Sequence, residues 1–188
     1  MVTDTPADTT PDTALEERLR ELAGSVPDPE LPMLTLAELG VVRGVRRTGA
    51  AAVEVELTPT YTGCPAVESM AEDIERVLRE RGGMAEVRVR RVLAPAWTTD
   101  DITPEGRRKL AEAGIAPPRT TRPSGPVPVP VTLSTRRAGP AAPETDLRCP
   151  HCGSAETELL SPFSSTACKA LRRCTACREP FDHFKELT

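Results

Sequence analysis

Val53, Val55 and Leu57 alternate with Glu54 and Glu56, the period-two pattern of a half-buried strand. A few residues later the period changes. Val67, Met70, Ile74, Val77 and Leu78 recur at helical spacing, Pro65 suits the first helical position, and Gly82 and Gly83 supply a stop. Upstream, Leu34, Leu36, Leu39, Val41, Val42 and Val45 lead into an earlier strand. Arg46, Arg47, Thr48 and Gly49 then turn the chain into the Val53 strand, which predicts an antiparallel hairpin. Downstream, Val87, Val89 and Val92 alternate with Arg88 and Arg90 as a third strand. Leu15, Leu19 and Leu22 predict an amphipathic helix ending at Gly24. Thr103, Pro104 and Glu105 open another, running through Leu110 to Ala113 with Gly114 after it. Residues 14–118 thus read as an α+β domain, a small mixed sheet with helices packed on it.

Composition changes this picture at the two ends of the domain. Residues 1–13 are rich in Thr, Asp and Pro and predict a disordered tail. The chain has 20 prolines among its 188 residues, too many for one compact fold, and eight of them fall between residues 116 and 145. Residues 119–145 therefore read as a Pro-rich linker, leaving 146–188 as a second, small domain. All three phenylalanines lie in that last segment, so the first domain must build its core from Val, Leu, Ile and Ala.

A net charge of -4 argues against a nucleic-acid binder, which usually presents a basic face. No apolar run is long enough to span a membrane, and the first residues lack the basic start and apolar core of a signal peptide. The expected location is cytoplasmic. There, six cysteines point to metal ligands or reactive thiols rather than disulfides.

The candidate chemistry of the first half gathers around residues 58–65. Cys64 falls at or beside a helix N-terminus, where unpaired N–H groups and the helix dipole favour a thiolate. This makes it a candidate nucleophile or soft metal ligand, against the alternative of a small buried hydrophobe. Thr58, Thr60 and Thr62 offer hydroxyls nearby, although threonine is also an ordinary strand residue. Asp28 and Glu30 sit in a stretch with prolines at 27, 29 and 32. They are either hard ligands or acid-base groups on a stiff loop, or part of a solvated connector. Arg88, Arg90 and Arg91 form either a phosphate stripe or a solvated sheet face, and Trp97 either a lid or a cover for the aliphatic core.

The second half carries a stronger signal. Cys149 and Cys152, and Cys174 and Cys177, are two Cys-x-x-Cys pairs separated by twenty-one residues. A two-residue gap lets both thiolates face one ion, and two such knuckles complete a tetrahedral four-cysteine zinc site. A unit this small needs the metal to fold. His151 and His183 are left outside the set. Cys168 is left over as well, with Lys169 beside it to favour a thiolate.

Several stretches together resemble a known family. Asp28-Pro29-Glu30-Leu31-Pro32, Leu39-Gly40-Val41-Val42, the run from Thr58 to Ala66, and Pro95-Ala96-Trp97-Thr98-Thr99-Asp100 are similar to the SufT-like metal-sulfur cluster assembly domain. With Gly114-Ile115-Ala116-Pro117-Pro118, the cysteine pairs, Thr166-Ala167-Cys168-Lys169-Ala170 and Arg178-Glu179-Pro180-Phe181, the chain resembles the D-subunit family of phenylacetyl-CoA epoxidase systems. Asp101, Ser164 and Leu171 depart from that pattern, which has tryptophan, glycine and tyrosine there. The resemblance implies an accessory or maturation subunit in aerobic phenylacetate degradation that assists an iron or iron-sulfur centre in a partner, above all the iron-sulfur reductase component. Implied cofactors are a structural zinc and a transient iron or iron-sulfur cluster, with Cys64, Asp28, Glu30, Thr58, Thr60 and Cys168 as its candidate residues. A structural subunit without metal transfer is the main alternative, and a homodimer with Cys64 paired across it stays open. The sequence offers no carboxylate-histidine array of di-iron type and no flavin or nicotinamide motif, so the chain reads as accessory rather than catalytic.

Overall fold

The computed structural model describes residues 11–61, 63–119 and 147–186. The linker expected over 119–145 lies outside the described residues except at Arg119, as does the tail expected over 1–13 except at residues 11–13. Two compact units make up the chain, Met1–Lys109 with the last two residues, and Leu110–Glu186. No helix of the described residues is long and apolar enough to cross a membrane.

In the first unit, helix α1 (Pro11–Gly24) begins inside the stretch read as tail. It is followed by the short α2 (Leu36–Leu39), strands β1 (Val42–Gly49) and β2 (Ala52–Leu57), helix α3 (Ala66–Glu80), strand β3 (Glu86–Arg91) and the start of α4 (Pro104–Glu112). The sheet order is β1-β2-β3. The hairpin β1–β2 is antiparallel as its turn sequence predicts, and β3 pairs with β2 in parallel because α3 carries the chain across between them. Register places Val45 opposite Val55 and Val55 opposite Val89. The valines thus share one face, and α1 packs on β1 while α3 packs on β3. Leu19, Val53, Val55, Leu57, Ile74 and Leu78 are buried there.

The opposite face carries the charges. Arg46 reaches Glu54 at 3.0 Å, and Arg90 pairs with Glu56. Arg90 of β3 therefore belongs to a cross-strand ladder, the ordinary use of a solvated sheet face. Trp97 is 5% exposed, and its Nε1 donates to the Leu39 carbonyl at 2.9 Å, so it covers the core rather than forming a lid. Just after Leu39, Gly40 adopts φ +74°, and a Cβ there would lie 2.3 Å from the Asp101 carbonyl oxygen; only glycine allows this approach.

The second unit is a four-stranded sheet of order β4-β7-β6-β5, built from β4 (Ile115–Ala116), β5 (Thr157–Ser161), β6 (Lys169–Cys174) and β7 (Pro180–Phe184). Ile115 and Ala116, read above as the end of the first domain, pair in parallel with Asp182 and His183. Two extended residues carry no periodic signal, which is why the sequence left them on the other side of the boundary. Arg119 extends the connection through its Nε to Glu186 Oε1 at 3.2 Å. Ala116, Leu147, Cys149, Cys174 and Phe181 form the unit's small apolar core.

Candidate metal and thiol sites

The first candidate site lies between β2 and α3. As β2 ends, Thr58 N–H donates to the Val41 carbonyl at 2.9 Å, and a tight turn follows in which Cys64 N–H donates to the Tyr61 carbonyl at 3.1 Å. The chain then enters α3. Cys64 is free and half-buried. Its sulfur is pushed up from the ordinary thiol range by burial, against the Ala66 N–H that favours the thiolate; the negative charge of Glu30 adds to the rise, the Thr60 hydroxyl opposes it, and Asp28 adds further. This corrects the expectation of a favoured thiolate. One N–H and one hydroxyl do not outweigh desolvation and two neighbouring carboxylates.

The same observation brings Asp28, Glu30 and Thr60 to Cys64, a grouping that the sequence spacing alone did not require. Asp28 is 3% exposed and its Oδ1 accepts from Glu30 N–H at 2.8 Å and Leu31 N–H at 2.7 Å. Its own N–H donates to the Leu34 carbonyl at 2.9 Å, and Pro27 bridges to Thr35. The proline-rich loop is thus a folded turn anchored by buried Leu31 and Leu34, and the solvated-connector alternative is set aside. Thr58 is 1% exposed, and its Oγ1 has no hydrogen-bond partner among the described residues. Cys64, Asp28 and Glu30 do not form a closed ligand set as they stand. Among the described residues the only close group of three or more candidate ligands is the cysteine tetrad.

That tetrad is Cys149, Cys152, Cys174 and Cys177, whose four sulfurs all lie within 4.8 Å of one another. Cys149 Sγ and Cys177 Sγ are 3.8 Å apart, Cys152 Sγ and Cys174 Sγ 3.6 Å. These separations exclude S–S bonds of about 2.05 Å. They match the edge of a zinc–thiolate tetrahedron, about 3.8 Å for bonds of about 2.3 Å. The two knuckles are built alike. Cys149 N–H donates to the Ser154 carbonyl at 2.8 Å and Cys174 N–H to the Glu179 carbonyl at 3.0 Å.

The proton chemistry fits a cation in the middle. The Cys177 N–H, followed by that of Ala176, lowers Cys174 to about 7. Cys177 is pushed up to about 12: the Glu179 N–H favours its thiolate, but burial and the thiols of Cys152, Cys174 and Cys149 prevail. Four thiols this close ionise together only around positive charge, so the tetrad is a metal-binding site of the donor type that suits zinc.

Cys168 and the histidines stand apart from it. Cys168 is buried, with its sulfur 3.1 Å from Thr166 Oγ1. Lys169 pairs with Asp182 at 3.1 Å. His151 is exposed and sits against Gly114; His183 is buried in β7. Sequence reasoning missed Arg178. In each knuckle the residue after the second cysteine is left-handed, Gly153 at φ +76° and Arg178 at φ +68°. The available signal was that Cys152 is followed by glycine and Cys177 is not.

Two family models match the chain. Residues 16–89 match an iron-sulfur cluster assembly protein model, and residues 134–185 match the PaaD zinc beta ribbon domain. The first span holds Asp28, Glu30, Thr58, Thr60 and Cys64; the second holds the tetrad and Cys168. The D subunit of a "Putative 1,2-phenylacetyl-CoA epoxidase" of Escherichia coli (strain K12) is 44% identical over 164 residues, 87% of this chain and 88% of that one. The "Fe-S protein maturation auxiliary factor" of Porphyromonas gingivalis is 27% identical over 95 residues, 50% of this chain and 90% of its own. The crystal structure of a domain of unknown function from Bacillus anthracis superposes with a TM-score of 0.50 at 26% identity, covering 53% of this chain and 93% of that one.

Proposed function

Because the chain belongs to the D-subunit family of 1,2-phenylacetyl-CoA epoxidase, with a role in phenylacetate catabolism and iron–sulfur maturation, we propose that its part is accessory. In this reading it assists assembly of an iron or iron-sulfur centre in another epoxidase component, the iron-sulfur reductase first among them, and the zinc ribbon docks that client.

One observation carries the reading: a half-buried thiol that feels the charges of Glu30 and Asp28 and the Thr60 hydroxyl, inside the span that matches the assembly family. Iron is the cargo here. The raised thiol keeps its proton until a cation arrives, because burial, and after it the charges of Glu30 and Asp28, disfavour the thiolate. A divalent ion reverses that balance, the proton leaves to solvent, and the sulfur coordinates. Cys64 supplies one soft donor and Asp28 and Glu30 supply hard ones, with no closed cage, so the ion is held through few bonds and is open to donors of the client. Such an arrangement suits transfer rather than storage.

A structural role without metal transfer is favoured by a different observation, namely that these three residues are not assembled into a ligand set. Anaerobic loading with ferrous iron and sulfide, followed by metal analysis, separates the two. The transfer reading expects iron beyond the zinc, lost in Cys64→Ser with zinc unchanged. Equal iron in both proteins, or none in either, favours the structural role.

A further inference from the structure

Of the six cysteines, Cys152 alone is exposed. The other three members of the tetrad are sheltered: Cys149 and Cys174 belong to the small apolar core of the unit, and Cys177 packs against it. Cys152 stands outside that core, at the tip of the first knuckle. Its neighbours His151 and Gly153 are exposed too. At Gly153, which follows in the left-handed region at φ +76°, an added Cβ would meet no atom within 4 Å. The turn around Cys152 therefore opens to solvent, whereas the other ligands are reached only through packed side chains.

Membership of the tetrad gives this exposure a chemical consequence. A cysteine that binds a cation does so as thiolate, and the thiolate is the form that oxidants attack. The cysteines outside the tetrad do not compete: Cys168 is buried, and Cys64 is half-buried with its thiol pushed up, by burial above all. Cys152 also has a second sulfur at hand to complete an oxidation. Cys174 Sγ lies 3.6 Å away, nearer than the 3.8 Å that separates Cys149 Sγ from Cys177 Sγ. Solvent access, thiolate character and an adjacent resolving thiol are together the marks of an oxidation-sensitive cysteine.

We propose that Cys152 is an oxidation site at which hydrogen peroxide dismantles the tetrad through a Cys152–Cys174 disulfide. The Cys152 sulfur attacks one peroxide oxygen, the O–O bond breaks, and the departing hydroxide takes a proton from solvent to become water. Cys152 is left as a sulfenic acid. The Cys174 thiolate then attacks the Cys152 sulfur, the S–O bond breaks, and a second hydroxide leaves as water with a second solvent proton. Two thiolates have thus lost two electrons, and one peroxide has been reduced to two waters. The new bond joins one cysteine of each knuckle and removes two of the four donors, so the tetrad no longer holds a cation. A unit this small loses its fold with its metal, and the ribbon is switched off until a thiol reductant and zinc restore it. The inference rests on the zinc site alone, independently of any role for Cys64 or of docking to a client.

The test titrates the full-length, zinc-loaded chain with hydrogen peroxide. Zinc release is followed with a chromogenic chelator, and the remaining thiols are alkylated and mapped by mass spectrometry. Zinc should leave in step with the loss of the Cys152 and Cys174 thiols, which should be found joined to each other while Cys168 is still alkylated after denaturation. Reductant followed by zinc should restore the metal content. Cys152→His puts an imidazole, also a zinc donor, in place of the exposed sulfur, and the zinc bound by this variant should stay bound at the peroxide concentration that empties the parent. If the variant binds none, the peptide map of the parent decides by itself. Zinc retained by the parent while Cys64 or Cys168 is oxidised would overturn the proposal. So would a first disulfide that leaves Cys152 out, or equal release from Cys152→His and the parent.

Discussion

The indole Nε1 of Trp97 donates to the backbone carbonyl of Leu39 at 2.9 Å, across 58 residues of sequence. This bond fastens the segment after β3 to the end of α2, at the point where Gly40 turns under Asp101. Asp101 Oδ2 accepts both from Thr98 N–H and from Arg43, each at 2.9 Å, so the position that departs from the family pattern has a structural use of its own.

Trp97→Phe keeps most of the apolar ring but leaves the Leu39 carbonyl buried without its donor. The expected loss is about 1–3 kcal/mol, read as a lower urea midpoint by circular dichroism with an unchanged slope. An unchanged midpoint would show that the bond adds nothing to stability.

Acid sensitivity should trace to Glu38. Burial tends to raise its pKa, but the Lys109 hydrogen bond, the Thr35 backbone and side-chain hydrogen bonds and the Lys109 charge outweigh that, and the carboxyl lies below its ordinary value of 4.5. The contact with Lys109 is 2.7 Å. A group whose pKa is lower folded than unfolded gives stability that is complete above the unfolded value and is lost as pH falls through the folded one. Glu38→Gln should therefore lower stability at pH 7 and flatten its decline below about pH 4.5. Parallel pH profiles for the two proteins would contradict the assignment.

Zinc removal tests the second unit. Metal analysis should find one zinc per chain. Chelation, or Cys174→Ser, should unfold the ribbon while β1–β3 stay protected from hydrogen exchange. Because β4 pairs with β7, residues 115–116 should lose protection together with β6 and β7. Protection of residues 115–116 in the zinc-free protein would mean that β4 does not depend on the ribbon.

Much of this architecture is legible in the sequence, and the exceptions have physical reasons. The valines of β2 and β3 alternate, and α3 shows its apolar positions at helical spacing, so strong periodicity revealed those elements. The zinc tetrad follows from spacing because a metal fixes the geometry of its ligands. Asp28 is different: its burial depends on where Leu31 and Leu34 dock, a tertiary fact that a proline-rich string conceals. The electrostatics of Cys64 are hidden for the same cause, since the helix end is local in sequence while the burial of the thiol and the opposing carboxylates, thirty-odd residues away, are set by tertiary packing. β4 and Arg178 were missed because a two-residue strand has no period and a backbone angle has no letter.

The central claim is that Cys64 handles iron for a partner. Serine is close to cysteine in size, and the residue sits at a turn before a helix, where a hydroxyl is well tolerated. Cys64→Ser should therefore keep the fold and the zinc while losing a donor suited to iron. The decisive measurement is the iron-sulfur content of the epoxidase system isolated from cells that carry Cys64→Ser as their only copy, with phenylacetate consumption followed in parallel. The account predicts all subunits present, cluster content reduced and consumption slowed. Normal cluster content and normal consumption in Cys64→Ser, with failure of both when the ribbon is disrupted by Cys174→Ser, would contradict it and leave the chain with a docking role alone.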